Sequence, residues 1–234
     1  MQAAYFFEEK LQETTSILQA SAETLKHLHV LRYKIGDELI LTNGKGLIGK
    51  CTITEISKKN AVVTVQHHEN KPQPKTQLTI AISLLKNPAR FEWFLEKATE
   101  IGVTAIIPLL CHRTEKLFFR KDRLQNIIKA AMLQSEQCWL PTLTEPMPLK
   151  EVLATEYDYK FIAHCLPNHK QILSPIKEEK STTIIQLIGP EGDFTQEEIA
   201  MALEKKYTPV SLGNNRLRTE TAGMVAAGIL LLQS

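Results

Sequence analysis

The sequence predicts an α/β fold in two parts, a small β-barrel followed by a larger domain built on a mostly parallel sheet. Three observations carry that expectation. Residues 78–85 form a largely apolar run, with Thr79 and Ser83 its only polar members, of the kind found in parallel strands buried on both faces. From there strand-like and helix-like patterns alternate, as βαβ units require. Near the carboxy terminus, two strand–turn–helix units break at Gly189 and at Gly213.

Over residues 1–66 the pattern is mostly short strands. A helix is expected at 23–31, and strands at 39–41 and 47–56 flank Asn43-Gly44-Lys45-Gly46, whose Asn-Gly pair tolerates φ > 0 and so favours a hairpin. Leu47, Gly49, Cys51 and Ile53 alternate with Ile48, Lys50, Thr52 and Thr54, the period of a strand with one wetter face. After the turn Lys58-Lys59-Asn60 another strand is expected at 61–65. Residues 69–75 are polar and twice broken by proline, which reads as a linker between domains at 1–70 and 75–234.

Beyond the linker, Asn87-Pro88 opens a helix through Phe91, Phe94, Leu95, Ala98 and Ile101, and Gly102 closes it. A strand follows at 105–110, and Gln134-Ser135-Glu136-Gln137 lies near the end of the next helix, before Pro141. Residues 161–165 read as a strand end. The run Ile184-Ile185-Gln186-Leu187-Ile188 stops at Gly189-Pro190-Glu191-Gly192-Asp193, and Thr195 with Glu198 has the spacing of a capping box. Val210-Ser211-Leu212 repeats the plan, ending at Gly213, with the polar loop 214–218 leading into a helix at Thr219-Glu220-Thr221. That last helix has no polar face, yet it is shorter than the roughly 20 apolar residues that cross a bilayer, so protein must cover it, from this chain or a second subunit.

Composition narrows the function. With 28 basic and 26 acidic residues the formal charge is +2, so no global field advertises a nucleic-acid partner and any such signal must be local. Cys51, Cys111, Cys138 and Cys165 form neither a C-x-x-C pair nor a disulfide-like cluster, and the amino terminus lacks the pattern of a signal peptide. A cytoplasmic, unanchored protein is expected. His67-His68 and His27-x-His29 lack paired ligand spacing, so no metal is expected. Neighbours on a strand point to opposite faces, which argues against His164 and Cys165 as a base and its nucleophile.

The turn at Gly189 is neither a P-loop nor a dinucleotide fingerprint. Taken together, Ile188-Gly189-Pro190-Glu191-Gly192-Asp193-Phe194, Leu212-Gly213 and Leu217-Arg218-Thr219-Glu220-Thr221-Ala222 resemble the RsmE family of SPOUT methyltransferases. Arg90-Phe91-Glu92 and 97–103 match another stretch of that family. More weakly, Leu28-His29-Val30-Leu31-Arg32 and Gly36-Asp37 resemble its PUA-like RNA-binding domain. The resemblance implies a SPOUT-type α/β domain with a C-terminal trefoil knot, S-adenosyl-L-methionine as cofactor, a homodimer, and methylation of N3 of one uridine in 16S ribosomal RNA of the small subunit. It places the cofactor against Ala163, His164 and Cys165, against Leu187, Ile188, Gly189, Pro190, Glu191 and Gly192, and against Ser211, Leu212 and Gly213. Leu217, Arg218, Thr219, Thr221 and Ala222 complete the expected wall.

Arg218 is the expected catalytic residue, because a fixed cation beside the ring stabilises the charge left when uracil N3 loses its proton. Glu220 is a candidate base, although capping the terminal helix is the plainer role for it. A local basic signal runs from Arg113 to Lys129, with Phe118 and Phe119 in its middle; either the aromatics stack on unpaired bases or they cover the sheet. Expected RNA contacts are Arg32, Lys34, Arg113, Lys116 and Arg120. Glu96, Lys97 and Glu100 read as a solvated helix face. Two residues depart from the family pattern: Asp193, where a second glycine is common, and Arg216, where an apolar residue is common. The rival functions are a non-catalytic RNA-binding protein of this fold and a SPOUT enzyme acting on transfer RNA or ribose 2′-hydroxyls.

Overall fold

The structure is a computed structural model that describes residues 3–115, 118–167, 170–176 and 180–232. It divides into two compact units, one of Met1–Gln73 with Met132–Leu140 and one of Pro74–Ala131 with Pro141–Ser234.

The first unit contains β1 (Tyr5–Phe7), β2 (Ile17–Gln19), α1 (Ala22–Val30), β3 (Glu38–Thr42), β4 (Leu47–Ile56) and β5 (Ala61–Asn70). They form a five-stranded sheet in the order β1-β3-β4-β5-β2, around a core that includes Phe6, Leu28, Leu39, Leu41, Ile53 and Val63. The alternation expected in β4 holds from Gly49 to Thr54, with Cys51 and Ile53 buried while Lys50 and Thr54 are exposed, but Ile48, expected on the wetter face, is buried. Ser21 caps α1, its side chain accepting from the Thr24 N–H at 3.2 Å. The linker begins later than the sequence suggests. β5 continues through Gln66 to Asn70, where Leu47 and Ile48 pair with Asn70 and Glu69. Ladder pairing uses backbone groups, so a strand whose last residues face solvent needs no apolar side chains there.

Met132–Leu140 belongs to this unit for an equally local reason. The tip of the β3–β4 hairpin leaves backbone groups unpaired, and buried or half-buried backbone polar groups need partners. Gly46 N–H donates to the Cys138 carbonyl and Leu140 N–H to the Gly44 carbonyl, both at 2.9 Å. The Trp139 indole N–H donates to the Pro72 carbonyl at 3.0 Å.

The second unit contains β6 (Thr76–Ser83), α2 (Pro88–Ile101), β7 (Ala105–Leu110), α3 (Lys121–Gln134), β8 (Thr142–Leu143), β9 (Met147–Pro148) and α4 (Leu149–Val152). The last residues of α3 fall in the first unit. β10 (Tyr159–Ala163), β11 (Gln171–Ile172), β12 (Thr182–Ile188), α5 (Gln196–Glu204), β13 (Thr208–Ser211) and α6 (Thr219–Leu231) follow. All pairings in the sheet are parallel, in the order β11-β13-β10-β12-β6-β7-β8, with β9 beside β7. β6 is buried from Leu78 onward, as expected from its apolar run: Leu78, Ile80, Ala81 and Ile82 are all 0% exposed. Asn87 caps α2 by accepting from Ala89 N–H, Pro88 sits in its first turn, and Gly102 ends it at φ 98°.

From Ala222 onward α6 is apolar, and it packs against α2 and β6 of its own chain with Gly223, Ala226, Ala227 and Leu230 buried. A Cβ at Gly223 would lie 2.6 Å from Cε2 of Phe94 and 3.1 Å from Cδ1 of Ile82. Glycine lowers helix propensity by about 1 kcal/mol, but here it lets two apolar elements meet. Phe94 is 0% exposed and has nowhere to retreat. Overpacking costs roughly 1–3 kcal/mol, which outweighs the propensity gained. Gly223→Ala is therefore expected to lower the urea midpoint by an amount equivalent to about 1–2 kcal/mol. A midpoint equal to or above wild type would show that the contact is not tight.

Candidate functional site

Three strands end at one level. Ala163, the last residue of β10, pairs with Ile188 of β12 on one side and with Val210 of β13 on the other. The loops after these strands therefore gather outside the carboxyl edge of the sheet, where open α/β sheets hold ligands. They enclose a cavity of about 680 Å³, within the usual range of ligand pockets.

Local chemistry shapes each wall. After β12, the turn closes with Asp193 N–H donating to the Pro190 carbonyl at 2.9 Å. Asp193 holds φ 64°, a left-handed conformation that Asp and Asn tolerate better than most residues. Its carboxylate accepts from its neighbour Phe194 N–H and, across the cavity wall, from Cys165 N–H, both at 2.8 Å. The expected capping box is complete: Glu198 N–H donates to Thr195 Oγ1 and Thr195 N–H to Glu198 Oε2. The other Glu198 oxygen accepts from His112 N–H at 2.8 Å, tying α5 to the loop after β7. After β13, Ser211 Oγ donates to the Gly213 carbonyl at 3.1 Å and so closes the start of the third wall.

Most of the predicted cofactor contacts line this cavity: Ala163, His164, Cys165, Ile188, Gly189, Pro190, Glu191, Ser211, Leu212, Gly213, Leu217, Arg218, Thr219 and Ala222. Three do not. Leu187 is 0% exposed in the core on the other face of the sheet, Gly192 lies under the side chain of Arg113, and Thr221 is half-buried in α6 away from the lining. Lys170, Asp193, Val210, Asn214, Asn215 and Arg216 also line the cavity. Lys170 and the asparagines carry no pattern that marks them in sequence; only their place in loops after strands β10 and β13 does.

Charge within the site is specific. The Lys170 ammonium donates to the carbonyls of His164 and Leu166 at 2.9 and 2.8 Å. Burial, and then the Lys170 charge, hold the His164 imidazole below its usual range, so it is neutral at pH 7. Arg218 stands exposed at the amino-terminal cap of α6. Glu220 is only 7% exposed and its carboxylate lies 3.7 Å from the Arg90 guanidinium, in the first turn of α6 and off the cavity lining. That placement favours the helix terminus and the ion pair as its role.

The expected RNA residues are scattered. Arg32, at φ 62°, and Lys34 are exposed after α1. Lys116 lies outside the described residues. The Arg120 guanidinium sits 5.0 Å from the centroid of the Phe118 ring, which is 46% exposed. Arg113 is committed differently, donating to the Gly192 carbonyl at 2.6 Å. Of the remaining basic run, Arg123 makes a bidentate pair with Glu92 and Lys121 meets Glu145 at 2.6 Å. The local excess of charge is smaller than composition suggests. Among the described residues no group of three or more His, Cys, Asp or Glu side chains is placed to hold a metal.

The chain is similar in sequence and fold to known proteins. Residues 71–231 match the RNA methyltransferase domain family, and residues 21–66 match the RNA methyltransferase PUA domain. The ribosomal RNA small subunit methyltransferase E of Rickettsia conorii is 30% identical over 233 residues, covering 98% of this chain and 95% of the relative. The crystal structure of a probable rRNA-methyltransferase from Porphyromonas gingivalis superposes with a TM-score of 0.86 at 32% identity, over 96% and 95% of the two chains. That of a ribosomal RNA small subunit methyltransferase E from Neisseria gonorrhoeae, bound to S-adenosyl methionine, does so at 0.85 and 26% identity, over 97% and 96%.

The Asp193 bridge is testable. A charge-assisted hydrogen bond contributes roughly 1.5–3 kcal/mol, and alanine is also strained at positive φ. Asp193→Ala is expected to cost about 2 kcal/mol in urea denaturation, and Asp193→Asn less than half of that. Equal stability of Asp193→Ala and wild type would mean that the bridge is not holding the wall.

Proposed function

Because the chain belongs to the RNA methyltransferase family, as its match over residues 71–231 and its likeness to ribosomal RNA small subunit methyltransferase E show, we propose that it methylates N3 of one uridine in 16S ribosomal RNA, using S-adenosyl-L-methionine. The observation that carries the reading is the cavity at the shared end of β10, β12 and β13. Its residues fit such a donor: Ile188, Leu212, Leu217 and Ala222 offer apolar surface, and the turns after β12 and β13 bring main-chain polar groups to the same wall. The cofactor, when bound, supplies an electrophilic methyl group attached to a sulfonium.

What remains for the chain is to hold the acceptor in line and favour its deprotonated form. Arg218 is the cation for that task, exposed on the cavity wall where a uracil ring losing its N3 proton gains negative charge. Glu220 serves it indirectly, by occupying the positive end of α6 and pairing with Arg90. Arg32 and Lys34 in the first unit, and Arg120 with Phe118 in the second, supply exposed charge and an aromatic face for RNA. The reading includes the knotted threading implied by the family resemblance, with which the placement of β10 between β12 and β13 is compatible. It also places the protein in the cytoplasm, where it meets ribosomal RNA; no described helix is long and apolar enough to cross a membrane.

The proposal extends to a homodimer. Met224, Val225, Ile229 and Leu231 form a half-exposed apolar face on α6, continued by Leu232 at 68% exposure. A second copy covering this face removes it from water. Ile229→Glu is expected to shift the protein to monomer in light scattering and to reduce methyl transfer; a dimer of unchanged affinity would remove α6 from the interface.

The direct test is transfer of tritium from labelled S-adenosylmethionine to small ribosomal subunits of a deletion strain, followed by mapping of the modified nucleotide. Arg218→Ala is expected to lower kcat about 10²–10³-fold, the usual cost of removing one fixed donor from a developing charge. No transfer by the wild type would favour a binding protein without turnover. Label on transfer RNA or on a ribose would redirect the assignment.

A further inference from the structure

Arg113 was expected among the RNA contacts, and its surroundings indicate another task. It projects from a turn at 111–114 that is closed twice, by Thr114 N–H donating to the Cys111 carbonyl at 3.0 Å and by Cys111 N–H donating to Thr114 Oγ1 at 2.9 Å. Thr114 Oγ1 is also 2.9 Å from Ser83 Oγ, which ties the turn to the end of β6. The neighbouring His112 N–H is held by Glu198 of α5. The base of the Arg113 side chain is thus fixed on both sides.

From there the guanidinium reaches the cavity turn. Its Nη1 donates to the Gly192 carbonyl at 2.6 Å and lies 3.5 Å from that of Phe194. These two carbonyls bracket Asp193, the left-handed residue whose carboxylate spans to Cys165 N–H. The aliphatic stem of Arg113 covers Gly192: a Cβ there would stand 3.2 Å from Arg113 Cδ. This close approach gives position 192 a reason to be glycine that differs from direct contact with a cofactor. A planar guanidinium can hold neighbouring carbonyls in one geometry, whereas an ammonium is a mobile point charge.

We propose that Arg113 is a positioning residue for the cofactor cavity, fixing the Gly192–Asp193 and Phe194–Thr195 peptides at the two ends of the Asp193 turn, and not a contact to RNA phosphate. The proposal rests on the reading of the cavity as an S-adenosylmethionine site. It predicts a defect that follows the cofactor and leaves RNA affinity alone.

The test compares full-length wild type, Arg113→Ala, Arg113→Lys and Gly192→Ala. The readouts are S-adenosylhomocysteine affinity by calorimetry, KM for S-adenosylmethionine against kcat, and affinity for unmodified small ribosomal subunits across a salt series. Arg113→Ala is expected to weaken cofactor binding and raise its KM by tenfold or more, with subunit affinity and its salt dependence unchanged. Arg113→Lys should restore little. Gly192→Ala, which displaces the stem and keeps the charge, should share the cofactor defect and serves alone if Arg113→Ala does not fold. Cofactor affinity within twofold of wild type in both alanine variants would overturn the proposal. So would a weaker subunit affinity for Arg113→Ala with a salt slope shallower by about one, the mark of a lost phosphate contact. Wild type that binds no cofactor would instead overturn the site assignment beneath it.

Discussion

One row of the sheet, Ile188–Ala163–Val210, decides where the candidate cavity forms. Parallel pairing on both sides of β10 brings three strand ends to the same height, and beyond that row the backbone leaves the ladder. Everything that lines the cavity follows from how the next few residues satisfy their own polar groups. Gly189 to Asp193 does so by a tight turn, Cys165 by borrowing the Asp193 carboxylate, and the loop after β13 by the Ser211 hydroxyl. The cavity is thus a consequence of chain ends meeting, and its walls come from segments about 25–50 residues apart in sequence.

The acidic residues around the site have structural work. Glu198 completes a helix cap with one oxygen and holds His112 with the other, Asp193 bridges two walls, and Glu220 faces Arg90 at the start of α6. Each of these carboxylates is already committed to N–H groups or to a cation of the protein itself. This distribution is consistent with a reaction in which the chain's main electrostatic contribution is an arginine. Lys170 is likewise occupied by two carbonyls; among the described residues of the lining, Arg216 and Arg218 are the exposed cations.

Helix α6 links stability to function. Its buried face needs glycine because Phe94 and Ile82 approach so closely, while its first turn carries Arg218 and Glu220. A change deep in the α2–α6 contact would therefore move the cavity wall as well as cost stability. The same helix also carries a half-exposed apolar face.

Features set by local chemistry were legible without a structure. The capping box at Thr195 and Glu198, the Asn87-Pro88 start and Gly102 end of α2, the buried run in β6 and the α/β class all depend on residues within a few positions of one another. The two turns of the candidate site were legible for the same reason. Other features rest on contacts between distant residues: the extension of β5 to Asn70, the joining of Met132–Leu140 to the first unit, the pairing of Glu220 with Arg90 and the grip of Arg113 on the Gly192 carbonyl. No periodicity encodes those partners, because a backbone N–H donates to, and a carbonyl accepts from, any suitable group that folding brings within about 3 Å. Sequence alone thus determined which segments turn, cap and bury, whereas tertiary structure decided which charges remain for chemistry, since that depends on who neutralises whom across the fold.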